Sequence, residues 1–216
     1  MREMGDDVTV CALVAPCECN REDFTRRWKS GCFDCVIAVD GGRAVLDELG
    51  CMPDLTLGDF DSLGYVPSDG EVERHPSHKD KSDLELAFDR VSEQGFSDVV
   101  VYGALGGRLD HTVANLQMCA RFAEEGLAVL LIGSDCAVRI LVGPTTYDLP
   151  KVAQGTVSVF AGTREALGVT ETGLEYPLDK ATLSNRTSLG LSNELTGVPA
   201  SISVEEGTLF VFHPLD

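Results

Sequence analysis

Short apolar runs alternate with segments of helical periodicity through the first two-thirds of the chain, and the rhythm changes after Gly143-Pro144. Val8–Ala15 is the first continuous apolar run, and Asp23–Lys29 falls within a predicted helix. Val36–Val39 reads as a second buried-type strand ending at Asp40, Arg43–Leu49 as a helix closed by Gly50, and Leu55–Leu57 as a strand ending at Gly58-Asp59. Ser82 and Glu85 have the spacing of a capping box, in which each side chain satisfies a free N–H at a helix start. Leu84, Ala87, Phe88 and Val91 follow at helical spacing, with Gly95 as a stop. Val99–Tyr102 is another strand. Val113, Leu116, Ala120 and Ala123 line one face of a helix that ends before Gly126, and Leu127–Ile132 and Val138–Val142 complete the strands.

Strands that are apolar throughout and alternate with helices predict a mainly parallel sheet with helices on both faces. Beyond Gly143-Pro144 the segments are short and alternating: Thr156–Ala161, Val169–Thr170, Leu174–Tyr176, Ala181–Leu183, Ala200–Val204 and Leu209–His213. Turn residues separate them, as in a small antiparallel sandwich or barrel. The expected division is an α/β part over residues 1–143 and an all-β part over 144–216.

The chain has 216 residues, 44% of them hydrophobic, which excludes a disordered chain. No apolar run approaches the roughly 20 residues of a membrane span, and Met1–Asp7 lacks the basic-then-apolar layout of a signal peptide. A cytoplasmic protein is expected, with no membrane partner. The net charge of −18 argues against nucleic acid, whose phosphates require a basic surface. The eight cysteines include Cys17-x-Cys19 and Cys32-x-x-Cys35. A zinc site and a set of reduced, buried thiols both fit that spacing, and the single Cys-x-x-Cys favours the thiols.

Candidate chemistry lies where strands end. Asp40-Gly41-Gly42, Gly58-Asp59-Phe60-Asp61-Ser62, Lys79-Asp80-Lys81-Ser82-Asp83 and Gly106-Gly107-Arg108-Leu109-Asp110-His111-Thr112 place carboxylates beside glycines and cations. Ligands of parallel sheets bind beyond the carboxyl ends of the strands. Mg²⁺ takes one or two protein carboxylates together with phosphates and water, and glycines admit phosphate oxygens to backbone N–H groups. An ATP-dependent phosphoryl- or pyrophosphoryl-transferring enzyme is the reading. Three carboxylates, ATP of about −4, two Mg²⁺, Lys79, Arg108 and a monocationic acceptor sum to roughly zero, the balance such a site requires. Asp59 and Asp61 face the same way if extended; an Asp-rich turn that caps itself is the alternative. Asp83 either aids a metal or complements a helix N-terminus. Arg108 can clamp phosphate at the start of the next helix, and His111 is either an acid–base group or a structural residue.

Taken in order, these loops resemble thiamine pyrophosphokinase (thiamine diphosphokinase) of the bacterial type. The matching residues are Asp40-Gly41-Gly42, Pro53-Asp54 with Gly58–Ser62, Lys79-Asp80 with Asp83-Leu84-Glu85, and Gly106–Thr112 with Ala114-Asn115-Leu116. Gly173-Leu174-Glu175-Tyr176-Pro177-Leu178 and Gly190-Leu191-Ser192-Asn193-Glu194 continue the match into the β-rich part. The resemblance implies an α/β ATP- and Mg²⁺-binding catalytic domain and a C-terminal β-sandwich that binds thiamine and dimerises. It also implies a homodimer with its active sites at the subunit interface. The reaction implied is transfer of pyrophosphate from ATP to the hydroxyl of thiamine, giving thiamine diphosphate and AMP. Asp59, Asp61 and Asp83 would be the metal carboxylates, and Arg108 and Asp110 would join them in catalysis. Asp40, Gly41, Lys79, Asp80, Gly106, Gly107, Arg108, His111 and Thr112 would serve the nucleotide, and Ser192 and Asn193 the thiamine. A pyrophosphokinase acting on a hydroxymethylpterin, or a non-catalytic regulator binding thiamine or nucleotide, are the alternatives.

Overall fold

A computed structural model describes residues 8–215; Met1–Asp7, read above for a targeting signal, lies outside the described residues. The described residues form two compact units, one of residues 8–118 with 126–134, the other of residues 119–125 with 135–215.

In the first unit six parallel strands run in the order β6 (Ala128–Ile132), β5 (Asp98–Tyr102), β1 (Val10–Val14), β2 (Cys35–Val39), β3 (Leu55–Gly58), β4 (Val72–Arg74). The last four residues of β1, β2 and β5 are all buried, the outcome of apolar runs covered on both faces. The helices are α1 (Arg21–Lys29), α2 (Gly42–Leu49), α3 (Asp83–Glu93) and α4 (Leu109–Glu124). The Ser82 hydroxyl accepts the N–H of Glu85 at 3.2 Å, so α3 starts where the capping pattern predicts. Leu84, Ala87, Phe88 and Val91 form its buried face. Helix α4 departs from expectation in its first half. Val113, expected on a buried face, is 47% exposed and Leu109 is 77% exposed, whereas Cys119, Ala120, Phe122 and Ala123 are buried. The fully buried side chains of α4 fall in its later turns.

The second unit is an antiparallel sandwich. One sheet has the order β12 (Asn193–Glu194), β9 (Thr156–Ala161), β14 (Thr208–Pro214), β7 (Cys136–Val142). The other has β11 (Leu178–Ser184), β10 (Glu165–Thr172), β13 (Ser201–Val204), β8 (Thr145–Asp148). Inward positions alternate as strand geometry requires: Leu209 and Val211 of β14 meet Val157 and Val159 of β9, Val169 of β10 and Ile202 of β13 in one core. Val138–Val142, which follows the parallel strands in sequence, belongs to this unit because β7 pairs with β14 from Cys136↔Pro214 to Val142↔Thr208. Leu174–Tyr176, expected as a strand, makes only the bridge Leu174↔Leu195.

Candidate active site

Strand β1 is flanked by β2 and by β5, so the chain order reverses there. Such a switch point opens a crevice at the strands' carboxyl ends. A cleft of about 350 Å³ occupies it. Its lining comes from the ends of β1 (Ala15, Pro16, Cys17), β2 (Asp40), β3 (Asp59, Asp61) and β5 (Gly103), and from the starts of α3 (Ser82, Asp83) and α4 (His111, Asn115).

Asp40 follows β2 directly with φ +47°, and its N–H donates to the Leu57 carbonyl at 2.8 Å. Gly58 lies against it with φ +152°; a Cβ there would stand 3.0 Å from the Asp40 Cα and Cβ. Only glycine permits that approach, and the approach brings Asp40 beside Asp59. The Asp59–Asp61 segment is not extended: Phe60 is buried with φ +65°, and the Asp61 N–H donates to Asp59 Oδ1 at 3.1 Å. The self-capping turn therefore forms, and it aims Asp59 into the cleft.

Asp83 is the first residue of α3. One carboxylate oxygen from each of Asp40, Asp59 and Asp83 lies within 4.8 Å of the others. The Asp61 backbone N–H, then Lys79, lower the pKa of Asp59. Burial raises that of Asp83, against the Lys79 ammonium, which donates to Asp83 Oδ1 at 2.6 Å. Asp40 Oδ2 accepts the Ser62 hydroxyl, while Asp40 Oδ1 is buried with no hydrogen-bond partner among the described residues. A buried acceptor without a donor is costly, and a hard cation would satisfy it. Three clustered carboxylates offer the oxygen ligands that Mg²⁺ takes.

Of the other residues singled out in the sequence, Asp61, Lys79 and His111 line the same cleft. Asp61 stands outside the three-carboxylate group and Asp40 within it. Gly41 is the N-cap of α2. Asp80 is exposed and outside the cleft lining. Gly106 and Gly107, with φ +83° and +63°, turn the chain from β5 into α4 against Glu18 and Cys17, and Thr112 Oγ1 donates to the Gly106 carbonyl at 3.3 Å. Arg108 and Asp110 are exposed and pair with each other, Nη2 to Oδ2 at 2.5 Å, a contact that holds the Asp110 carboxyl down at about 2. They lie outside the cleft lining.

Ser192 and Asn193 belong to the second unit. Ser192 is exposed with φ +59°, and its N–H donates to Ser158 Oγ at 3.0 Å. Asn193 is buried and its amide is fully engaged inside the protein. Three participants escaped the sequence reading: Asp40 as a third clustered carboxylate, Ser62 as its donor, and Glu171 behind Asn193. The first had a signal, because Asp40 ends β2 as Asp59 ends β3; the other two arise from contacts distant in sequence.

Residues 25–131 match the family model described as thiamin pyrophosphokinase, catalytic domain, and residues 146–209 the one described as thiamin pyrophosphokinase, vitamin B1 binding domain. A thiamine pyrophosphokinase of Bacillus subtilis is 27% identical over 188 residues, covering 83% of this chain and 87% of that protein. The crystal structure of a thiamin pyrophosphokinase from Geobacillus thermodenitrificans superposes with a TM-score of 0.77 at 29% identity, over 96% of this chain and 98% of that one. A Bacillus subtilis crystal structure, 24% identical with a TM-score of 0.78, covers 96% of this chain and 100% of its own and shares the fold.

Proposed function

The chain belongs to the thiamine pyrophosphokinase family, and on that footing we propose how its residues carry pyrophosphate from ATP to thiamine. The thiamine hydroxyl oxygen bonds to the β-phosphorus of ATP, and the bond from that phosphorus to the α–β bridging oxygen breaks. AMP leaves and the hydroxyl releases one proton. Asp40, Asp59 and Asp83 would hold Mg²⁺, with Asp61 beside them in the cleft. When bound, the metal supplies charge neutralisation for the triphosphate. The grouping of one carboxylate oxygen from each of three aspartates within 4.8 Å, with Asp40 also carrying a buried oxygen that has no donor among the described residues, is the observation that carries this reading.

Lys79 adds a cation in the same cleft and would hold phosphate oxygens there. Arg108 is held by an exposed ion pair to Asp110, a contact worth little in water, so a phosphate can take the place of that carboxylate. His111 and Thr112 serve the nucleotide from the start of α4, where backbone N–H groups favour anions. In the second unit Ser192 presents its hydroxyl to the acceptor. The cationic thiazolium of thiamine complements a chain of net charge −18.

The working form is a homodimer in which one subunit's acceptor loop completes the phosphate site of the other. Leu109 and Val113 on α4, and Tyr176, Leu189 and Leu191 in the second unit, are large exposed apolar residues that a second copy can cover. We place the protein in the cytoplasm, where its eight cysteines, all free, stay reduced. No described helix is long and apolar enough to cross a membrane.

Incubation with ATP, Mg²⁺ and either thiamine or a hydroxymethylpterin, followed by nucleotide analysis, tests the reading. AMP formed with thiamine is expected; ADP as product, or AMP dependent on the pterin, overturns it.

A further inference from the structure

Glu171 is a carboxylic acid enclosed in the sandwich, 1% exposed, and its Oε1 has no hydrogen-bond partner among the described residues. Its other oxygen accepts the Asn193 amide N–H at 2.7 Å. Asn193 spends every remaining bond on backbone. Its Nδ2 also donates to the Tyr176 carbonyl at 2.8 Å, and its Oδ1 accepts the N–H of Tyr176 at 3.0 Å and of Glu194 at 2.9 Å. A primary amide has two donors and two lone pairs, so nothing is left for a ligand. Asn193 is a pin between two surface segments, which run together through Glu175 N–H to the Glu194 carbonyl at 3.0 Å and the Leu174↔Leu195 bridge.

The two segments display what lies next to the pin. Tyr176 is 66% exposed although both its backbone groups are held. Ser192 is held in a left-handed conformation by Ser158, and its hydroxyl makes no hydrogen bond among the described residues. A buried carboxyl left half-unsatisfied is disfavoured, and its one hydrogen bond among the described residues is to the side chain that ties these segments.

We propose that Glu171 is a positioning residue for the acceptor: through Asn193 it fixes the backbone of Tyr176 and Ser192, so that one aromatic ring and one hydroxyl present a preformed surface to thiamine. The inference rests on the thiamine reading above. Glu171 touches neither substrate; its effect is on the order of the segments that do. Ordering them in advance lowers the entropy lost when the acceptor binds, so acceptor KM, not nucleotide KM, is the sensitive quantity.

The test compares Glu171→Ala, Glu171→Met and Glu171→Gln. Removing the acceptor of a buried hydrogen bond corresponds to about a tenfold effect. Glu171→Ala, or Glu171→Met where alanine does not fold, is expected to raise the KM for thiamine about tenfold and leave the KM for ATP unchanged. Glu171→Gln keeps a carbonyl oxygen for Asn193 and is expected to retain the wild-type KM. Amide hydrogen exchange at residues 173–177 and 190–194 should accelerate in the Ala or Met variant and not in Gln. The inference is overturned by an unchanged thiamine KM in both Ala and Met, by Gln impaired as severely as they are, or by an equal rise in the ATP KM. If the wild type forms no AMP with thiamine, the reading beneath the inference fails with it. Thiamine-dependent AMP with no KM change in the variants overturns the inference alone.

Discussion

Asp83→Asn separates the two roles open to that residue, metal ligand and helix-start charge. Its carboxylate lies within 4.8 Å of those of Asp40 and Asp59 and 2.6 Å from Lys79. At an effective dielectric of about 20, each like-charge contact costs about 3.5 kcal/mol or more and the lysine returns about 6.4 kcal/mol. The two repulsions together offset the attraction. Burial adds to them in disfavouring the charged form, the direction in which the pKa of Asp83 is shifted. Against this stands roughly 0.5 kcal/mol from a negative charge at the start of α3. Asparagine keeps an oxygen for Lys79, so the metal-free variant should melt within about 1 kcal/mol of wild type, a shift of a few degrees at most. Turnover should fall about a thousandfold or more, roughly 4 kcal/mol, because an anionic anchor for the metal is gone. Calorimetry in chelator and in Mg²⁺, with kcat at saturating Mg²⁺, makes the measurement. Mg²⁺ should raise the wild-type melting temperature through linkage and raise the variant's less. A variant that melts clearly lower in chelator yet keeps its kcat would mean that Asp83 only completes the helix, and the reasoning fails.

Gly58→Ala forces a Cβ against Asp40 at a φ of +152°; it should destabilise by about 1–3 kcal/mol and reduce kcat beyond the unfolded fraction, and a wild-type kcat would contradict the side-by-side role of Asp40 and Asp59. Burial raises the pKa of Glu171, so its contribution to stability is fully present below the unfolded value of about 4.3 and is lost as pH rises through the folded value. Urea unfolding from pH 4 to 8 should therefore show wild type losing stability relative to Glu171→Gln as pH rises; parallel profiles would refute this. Mixing inactive Asp59→Asn subunits with inactive subunits altered at Ser192 and Asn193 should restore partial activity, and demonstrated subunit exchange without recovery would remove the shared-site proposal.

The α/β rhythm was legible because burial on both faces leaves a continuous apolar run that no polar constraint interrupts, as in Val36–Val39 and Val99–Tyr102. The start of α3 was legible for a local reason: Ser82 and Glu85 meet within one turn. Strand β4 was not read, since Val72–Arg74 is a short edge strand with partly exposed positions. The exposed first half of α4 defeated periodicity, because Leu109 and Val113 are apolar yet exposed.

The aspartate-rich strand ends, the glycines that admit them and the acidic charge were properties of the sequence itself, since each depends on residue type and near neighbours. Which carboxylates meet was decided by tertiary structure. Pairing of β2 with β3 and the left-handed Phe60 draw Asp40 to Asp59 and Asp83 and leave Asp61 at the side. Likewise the Ser-Asn pair was visible as a motif, but burial beneath Glu171 made the asparagine a pin and left the serine facing outward. Contacts between residues far apart in the chain follow from strand order and packing, which no local pattern encodes.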